Sequence, residues 1–103
     1  MNKIIAVDFD GTLCKDAWPE IGEPNGNLIY ELKIRKQCGY KIILWTCRTG
    51  ELLDKAIKWC ADRGLIFDAI NENVPEAIER FGGDCRKIYA DVYYDDKSVR
   101  INF

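Results

Sequence analysis

The stretch KIIAVDFDGTLC, Lys3 to Cys14, decides the reading of this chain. It opens on a short β-branched run, KIIAVD, without polar alternation, which suits a strand buried on both faces of a parallel sheet. It then sets Asp8 and Asp10 on either side of Phe9 and runs straight into Gly11 and Thr12. Carboxylates are seldom buried without partners. Two of them at the end of such a strand require either full exposure or something positive between them.

Outward from this strand the pattern repeats. Lys41 to Trp45 (KIILW) is a second buried-strand run. Between the two, Asn27 to Cys38 carries Leu28, Ile29, Leu32 and Ile34 at mostly helical spacing, and Gly39 stops it. A second helix fits Gly50 to Arg63, where Leu52, Leu53, Ala56, Ile57 and Cys60 form an apolar stripe closed by Gly64. Phe67 to Ile70 is a weaker strand, and Pro75 opens a short helix through Arg80. Lys87 to Tyr94 (KIYADVYY) reads as extended, and Val99 to Phe103 is expected as a last strand. Strand–helix alternation with short connections predicts an α/β fold, a doubly wound, three-layer, Rossmann-like and mostly parallel sheet. Residues 1–103 are expected to form one domain. Residues 15–26, holding two of the three prolines, are expected to be the only sizeable loop.

Composition narrows the chemistry by exclusion. The chain is 48% hydrophobic and 31% charged with a net charge of −2, a balance that gives no argument for nucleic acid or an anionic membrane as partner. No apolar run approaches the roughly 20 residues of a membrane span, and the N-terminus shows no signal-peptide core, so a cytoplasmic location is expected. Five cysteines, odd in number and without a CxxC pair, argue against a zinc or redox motif and for reduced thiols acting as small hydrophobes. The chain has no histidine at all. That removes Ser-His-Asp and Cys-His catalysis and histidine-based zinc hydrolysis, leaving carboxylates, Lys, Arg, hydroxyls and thiols.

In a doubly wound sheet the ligand site lies beyond the carboxyl ends of the strands. The first strand ends in Asp8-Phe9-Asp10-Gly11-Thr12, the second in Trp45-Thr46-Cys47-Arg48, and the late extended segment in Asp95-Asp96. Four carboxylates converging there repel one another and call for a cation. An all-oxygen ligand set suits a hard ion, with Mg²⁺ the expected choice. A metal that neutralises an anionic substrate lets a carboxylate attack phosphorus and form an aspartyl-phosphate, splitting one hard step into two. Asp8 is the expected nucleophile and a metal ligand, and Asp10 the expected acid and base for the leaving oxygen and the attacking water. Gly11 permits a tight turn that brings amides toward an anion. Thr46 offers a hydroxyl donor from the neighbouring strand, and a lysine would balance the remaining phosphate charge.

These residues resemble a known pattern. DFDGTLC looks like motif I of the haloacid dehalogenase (HAD) superfamily of phosphatases, DxDGT followed by an apolar residue. The resemblance implies that Asp8 is the nucleophile and that Asp10 is the general acid/base and binds Mg²⁺ through its backbone carbonyl. ILWTCR resembles motif II, which makes Thr46 the phosphate-binding hydroxyl. VYYDDKS resembles motif IV, which makes Asp95 a direct metal ligand and Asp96 its partner, direct or through water. Motif III is a lysine usually upstream of motif IV. Lys87 is the choice that fits, because Lys97 follows the acids. The runs GELLDKAIKWCADRGLIFDAINEN and KIYADVYYDD resemble the small cytoplasmic HAD hydrolases of bacteria and phages. Residues 13–26 are too few for a helical cap domain. The resemblance therefore implies a capless, open site, often associated with macromolecular substrates or with caps supplied by oligomerisation, and leaves a homo-oligomer open. With the sequence ending at Phe103, a short fifth strand without a closing helix is expected.

Blander readings exist for each residue. Thr46 would serve as a hydroxyl N-cap of the next helix, and Asp95-Asp96 as a solvated turn with Lys97 and Ser98. Arg48 either contacts substrate or pairs with Glu51 or Asp54. Glu72 and Asn73 either orient substrate or form a turn into Pro75. Trp18, Trp45 and Trp59 read as core or rim packing. The expectation is a Mg²⁺-dependent phosphohydrolase acting on a phosphorylated small molecule or macromolecule. The rival functions are a catalytically silent HAD-like binding or scaffold module, and a receiver-type phosphoacceptor domain. The receiver is disfavoured because its phosphorylated Asp ends the third strand, where this chain has no clear acid.

Overall fold

The computed structural model describes residues 3–103. Along the chain lie β1 (Ile4–Val7), β2 (Cys14–Ala17), β3 (Glu20–Pro24), α1 (Gly26–Gln37), β4 (Lys41–Leu44), α2 (Gly50–Asp62), β5 (Ala69–Ile70), α3 (Pro75–Phe81) and β6 (Val92–Tyr94). Local chemistry sets the helix starts and stops. The Asn25 side chain accepts from the Leu28 amide at 3.2 Å and opens α1. Pro75 occupies the first turn of α3, and Gly82 closes that helix at a φ of 75°.

Four strands form one sheet in the order β5-β4-β1-β6, with every neighbouring pair parallel. Burial on both faces explains the unbroken apolar runs, since Ile4 through Val7 and Ile42 through Leu44 are all buried. Alternate residues serve opposite layers. Ile5, Val7, Ile42 and Leu44 pack with Ile29 and Leu32 of α1 and with Ala56 and Cys60 of α2. Ile4, Ala6 and Ile43 pack with Ala77 of α3 and with Ile88 and Ala90 from the segment before β6. The chain builds the sheet outward on one side of β1, through β4 and β5, then returns to add β6 on the other. The boundary between β1 and β6 is thus where the strand order reverses, the position at which open parallel sheets bind ligands.

Two expected features take other forms. The segment read as an irregular loop is a two-stranded antiparallel hairpin, β2 with β3, leaving the sheet directly after Asp10. Two prolines do not prevent it, because Pro19 sits at the turn and Pro24 ends β3, where no ladder donor is missed. This hairpin is all that stands between β1 and α1, and no cap is present there. The strand expected over Val99–Phe103 does not form. Residues 98–103 have no regular structure, and Val99, Ile101 and Phe103 are exposed, without a partner strand to satisfy their backbone. Among the described residues no helix is long and apolar enough to cross a membrane.

Candidate functional site

Pairing of β1 with β6 aligns Val7 with Tyr94, and the Asp8 amide donates to the Tyr94 carbonyl at 2.9 Å. Both strands then end together, Asp8 on one and Asp95-Asp96 on the other. Carboxylate oxygens of Asp8, Asp95 and Asp96 lie within 4.8 Å of one another. Among the described residues this is the group of acids close enough to share one cation, and Asp10 is not part of it.

A tight turn holds the three acids in place. The Phe9 carbonyl accepts from the amides of Thr12 at 3.1 Å and Leu13 at 2.9 Å. Buried Thr12 then links both strand ends: its hydroxyl donates to Asp8 Oδ2 at 3.2 Å and accepts from the Asp96 amide at 3.1 Å. Gly11 takes a φ of 87°, and a Cβ placed on it would collide with the Asp96 carboxylate. Gly-Thr after the acids is therefore required by the approach of Asp96. The sequence flagged Gly11 for its turn but gave Thr12 no role; its place in DFDGT was the available signal.

Burial, then the neighbouring Asp95, pushes the Asp8 carboxyl up from 3.8 to about 6, against hydrogen bonds from the Phe9 backbone and Thr12 that favour the charged form. Acids at the opposite end of the sheet behave differently. Asp91 accepts from the Ile4 amide at 2.7 Å and Asp68 from the Ile42 amide at 2.8 Å, so both cap strand starts. Asp68 also meets Lys36 at 3.2 Å, and the Ile4 amide, followed by Tyr89, holds the Asp91 carboxyl below its ordinary value. Acids with structural duties in this fold sit among donors. Asp8, Asp95 and Asp96 instead face one another.

Asp10 has a different partner from the one expected. Arg48 grips it with a two-point fork, Nε to Oδ2 at 2.8 Å and Nη2 to Oδ1 at 2.7 Å. The Arg48 side chain is 1% exposed. Its remaining hydrogen bonds go to the carbonyls of Pro19 at 3.2 Å, Glu20 at 2.9 Å and Leu52 at 3.4 Å, and its guanidinium lies 5.0 Å from the Phe9 ring centroid. Hydrogen bonding to Asp10 raises the Arg48 pKa further. The expected pairing with Glu51 or Asp54 does not occur; the guanidinium is turned inward onto Asp10 and the three carbonyls instead.

Thr46 follows β4 one residue beyond the level of Asp8, half-buried. It is not the cap of α2, which starts after Thr49. Its hydroxyl oxygen accepts from the Arg48 amide at 3.2 Å, leaving the O–H proton to donate. Its own amide donates to the Asn71 side chain at 2.8 Å. Asn71, at a φ of 56° just past β5, is a positioning residue that sequence reasoning missed; Asn is among the few residues that accept that conformation. Asn73 is structural. Buried to 5%, it donates to Asp84 and the Cys85 carbonyl and accepts from the Tyr89 amide.

A cleft of about 660 Å³ opens beside Asp95, and Lys87, Trp45 and Arg100 are on its wall. Lys87 shares this cleft with Asp95, whereas Lys97 contributes its backbone amide to Asp95 at 2.8 Å. Trp59 packs edge-on to Phe9 at 5.5 Å, as rim packing predicts, but Trp18 stands 61% exposed near the hairpin tip. All five cysteines are free; Cys14 and Cys60 are buried as small hydrophobes, while Cys38, Cys47 and Cys85 are exposed.

No protein-family model matches the sequence, and no curated protein matches it. Among solved structures the chain is similar to a conserved protein from Bacteroides thetaiotaomicron, with 44% sequence identity and a TM-score of 0.85. The alignment covers 96% of this chain and 79% of that one.

Proposed function

We propose, for a chain that belongs to the same family as this conserved Bacteroides protein, a Mg²⁺-dependent phosphohydrolase working through an aspartyl-phosphate on Asp8. One observation carries the reading: three carboxylates from two strand ends converge at the reversal of the strand order, and among the described residues no cation is paired with them. The resemblance of DFDGT, WT and DD to HAD motifs adds to it, and with helices on both sheet faces we assign the doubly wound, capless HAD-like arrangement. Five free cysteines fit a reducing, cytoplasmic setting.

The ligand set fits Mg²⁺. Asp8, Asp95 and Asp96 supply oxygen donors alone, close enough to share one ion, and burial first, then the charge of Asp95, raises the Asp8 carboxyl. When bound, the ion would neutralise that charge and the charge of the substrate's phosphoryl group.

The chain's own residues then divide the work. An Asp8 carboxyl titrating near 6 is mostly ionised at neutral pH, and Thr12 holds one of its oxygens in place. The free Asp8 oxygen attacks phosphorus as the ester P–O bond breaks, and Asp10 delivers a proton to the leaving oxygen. In the second half Asp10 takes a proton from water, water oxygen bonds to phosphorus, and the bond to Asp8 breaks to release phosphate. Arg48 occupies one acceptor site on each Asp10 oxygen and leaves the others available, since a carboxylate has about four such sites. Thr46 donates its hydroxyl proton to a phosphoryl oxygen, and Lys87 supplies positive charge from the cleft beside Asp95. The substrate is a phosphorylated small molecule or macromolecule reached through an open mouth.

Turnover of phosphomonoesters with Mg²⁺, lost with EDTA and in Asp8→Asn, tests the proposal. An Asp8→Asn variant that keeps its activity overturns it, and a wild type that binds phosphorylated ligands without turnover favours a binding module.

A further inference from the structure

We infer that Arg48 is a positioning residue that locks the proposed acid Asp10 and the β2–β3 hairpin into one body. The inference rests on the phosphohydrolase reading above. Arg48 sits four residues past Leu44, the end of β4, and its side chain reaches the segment that follows the neighbouring strand β1. Nε and Nη2 fork onto Asp10, Nη2 also reaches the Glu20 carbonyl, and Nη1 reaches the Pro19 carbonyl. Pro19 lies in the hairpin turn and Glu20 opens β3 beside it, and Asp10 lies at the hairpin base, bridged to Cys14. One guanidinium thus spans the hairpin from base to tip.

Cys14 at the hairpin base and Ile21 on its returning strand pack against the core, but the tip has no such packing. The hairpin's outer residues Lys15 through Glu20 are exposed, and the Lys15–Glu23 ion pair is fully within it and solvated. Without Arg48 the Asp10 carboxylate would lose the fork that fixes its rotamer, and the hairpin tip would lose its two hydrogen bonds to the segment after β4. A planar, always-charged fork is the one side chain that does both, and an ammonium cannot reproduce two parallel contacts. Because 1% of the side chain is exposed, the substrate does not meet it. Its effect on the reaction must therefore pass through Asp10.

Leaving-group dependence separates this role from structural support. Phenyl phosphate needs a proton on its departing oxygen far more than p-nitrophenyl phosphate, whose phenolate leaves unaided. For Arg48→Met, kcat/KM on phenyl phosphate is expected to fall by about 10²-fold, within the range for lost acid catalysis, and on p-nitrophenyl phosphate by several-fold less. Inhibition by inorganic phosphate is expected to keep its wild-type constant. Arg48→Lys should recover part of the phenyl phosphate rate. Adding Arg48→Met to Asp10→Asn should cost little more, since residues acting as a unit are not additive. Equal losses on both esters, a weakened phosphate inhibition, or full additivity with Asp10→Asn would overturn the role. Hydrogen exchange reads the lock without turnover: in Arg48→Met or Arg48→Lys, amides of residues 14–24 should lose protection while those of β1 and β4 keep it. If the wild type hydrolyses neither ester, the phosphohydrolase reading fails and the exchange result alone decides the lock; unchanged hairpin protection sinks it.

Discussion

Replacing Asp8 by Asn should make the metal-free protein more stable. The folded carboxyl titrates at about 6 against an ordinary 3.8, so the folded state holds its proton more tightly than the unfolded chain. Between those values the native state binds more protons, and stability falls as pH rises through the window, with the full penalty present above about 6. A shift of two units at about 1.4 kcal/mol each sets a ceiling near 3 kcal/mol. Asp8 is half-buried at an open site, and screening brings the figure to about 1–2 kcal/mol. Asn keeps the shape and can still accept from Thr12, so the variant in EDTA at pH 7.5 should melt about 5–10 °C higher in a domain of this size. At pH 3.5 wild-type Asp8 is protonated in the folded state and mostly so in the unfolded chain, and the gap should nearly close. Mg²⁺ should invert the order, because wild type gains about 2.7 kcal/mol at 100 times its Kd while the variant has lost an anionic ligand. Calorimetry at the two pH values, with and without Mg²⁺, gives the four numbers. A variant that melts below wild type in EDTA at pH 7.5, or gains as much from Mg²⁺, refutes the electrostatic reasoning.

Gly11→Ala should destabilise by about 1–3 kcal/mol, combining positive-φ strain with displacement of Asp96; urea unfolding measures the first part and Mg²⁺ titration the second. Lys87→Ala should raise the inhibition constant of inorganic phosphate by about tenfold, the loss of one charge-assisted hydrogen bond, and Lys97→Ala should leave it near wild type. Iodoacetamide at pH 8 should label Cys38, Cys47 and Cys85 in the native protein and spare Cys14 and Cys60, because burial pushes the Cys60 thiol to about 12; mass spectrometry of the digested protein reads the pattern.

What the sequence disclosed follows from where the physics is local. Apolar runs without alternation announced β1 and β4 correctly, since burial on both faces leaves no polar phase to misread. Gly39, Gly64 and Pro75 marked helix ends within a residue or two. The hairpin was hidden because its residues, CKDAWPEIGEP, have neither clean alternation nor a two-residue Asn-Gly turn; it is fixed by a distant arginine. The tail was over-read for the opposite reason. VRINF has strand-like composition, but a strand needs a free edge beside it in register, and composition carries no such information. At the site, residues attached to strand ends were legible, and residues acting through a side-chain hydrogen bond from another element were not. Thr12, Asn71 and the true partner of Arg48 all belong to the second kind.

The pairing of Arg48 with Asp10 also explains why three acids, and not four, are left to share a cation. A guanidinium free to swing onto Asp8 or Asp95 would neutralise the cluster internally, and a divalent ion would then have to displace it. Forked onto Asp10, stacked on Phe9 and bonded to three carbonyls, Arg48 has no freedom to do so. The same contacts that fix Asp10 therefore keep the negative field at the β1–β6 boundary intact. Lys87 and Arg100 are the cations that share the cleft with Asp95, where an incoming phosphate would meet them. If this division of labour holds, Arg48→Lys should weaken Mg²⁺ binding even though Arg48 touches no member of the acid group, because a lysine released from the fork can reach the acids as a point charge. Calorimetric titration of Mg²⁺ into Arg48→Lys and Arg48→Met separates the effects: the Lys variant should bind several-fold more weakly than the Met variant. Equal affinities would mean that the fork guards Asp10 alone.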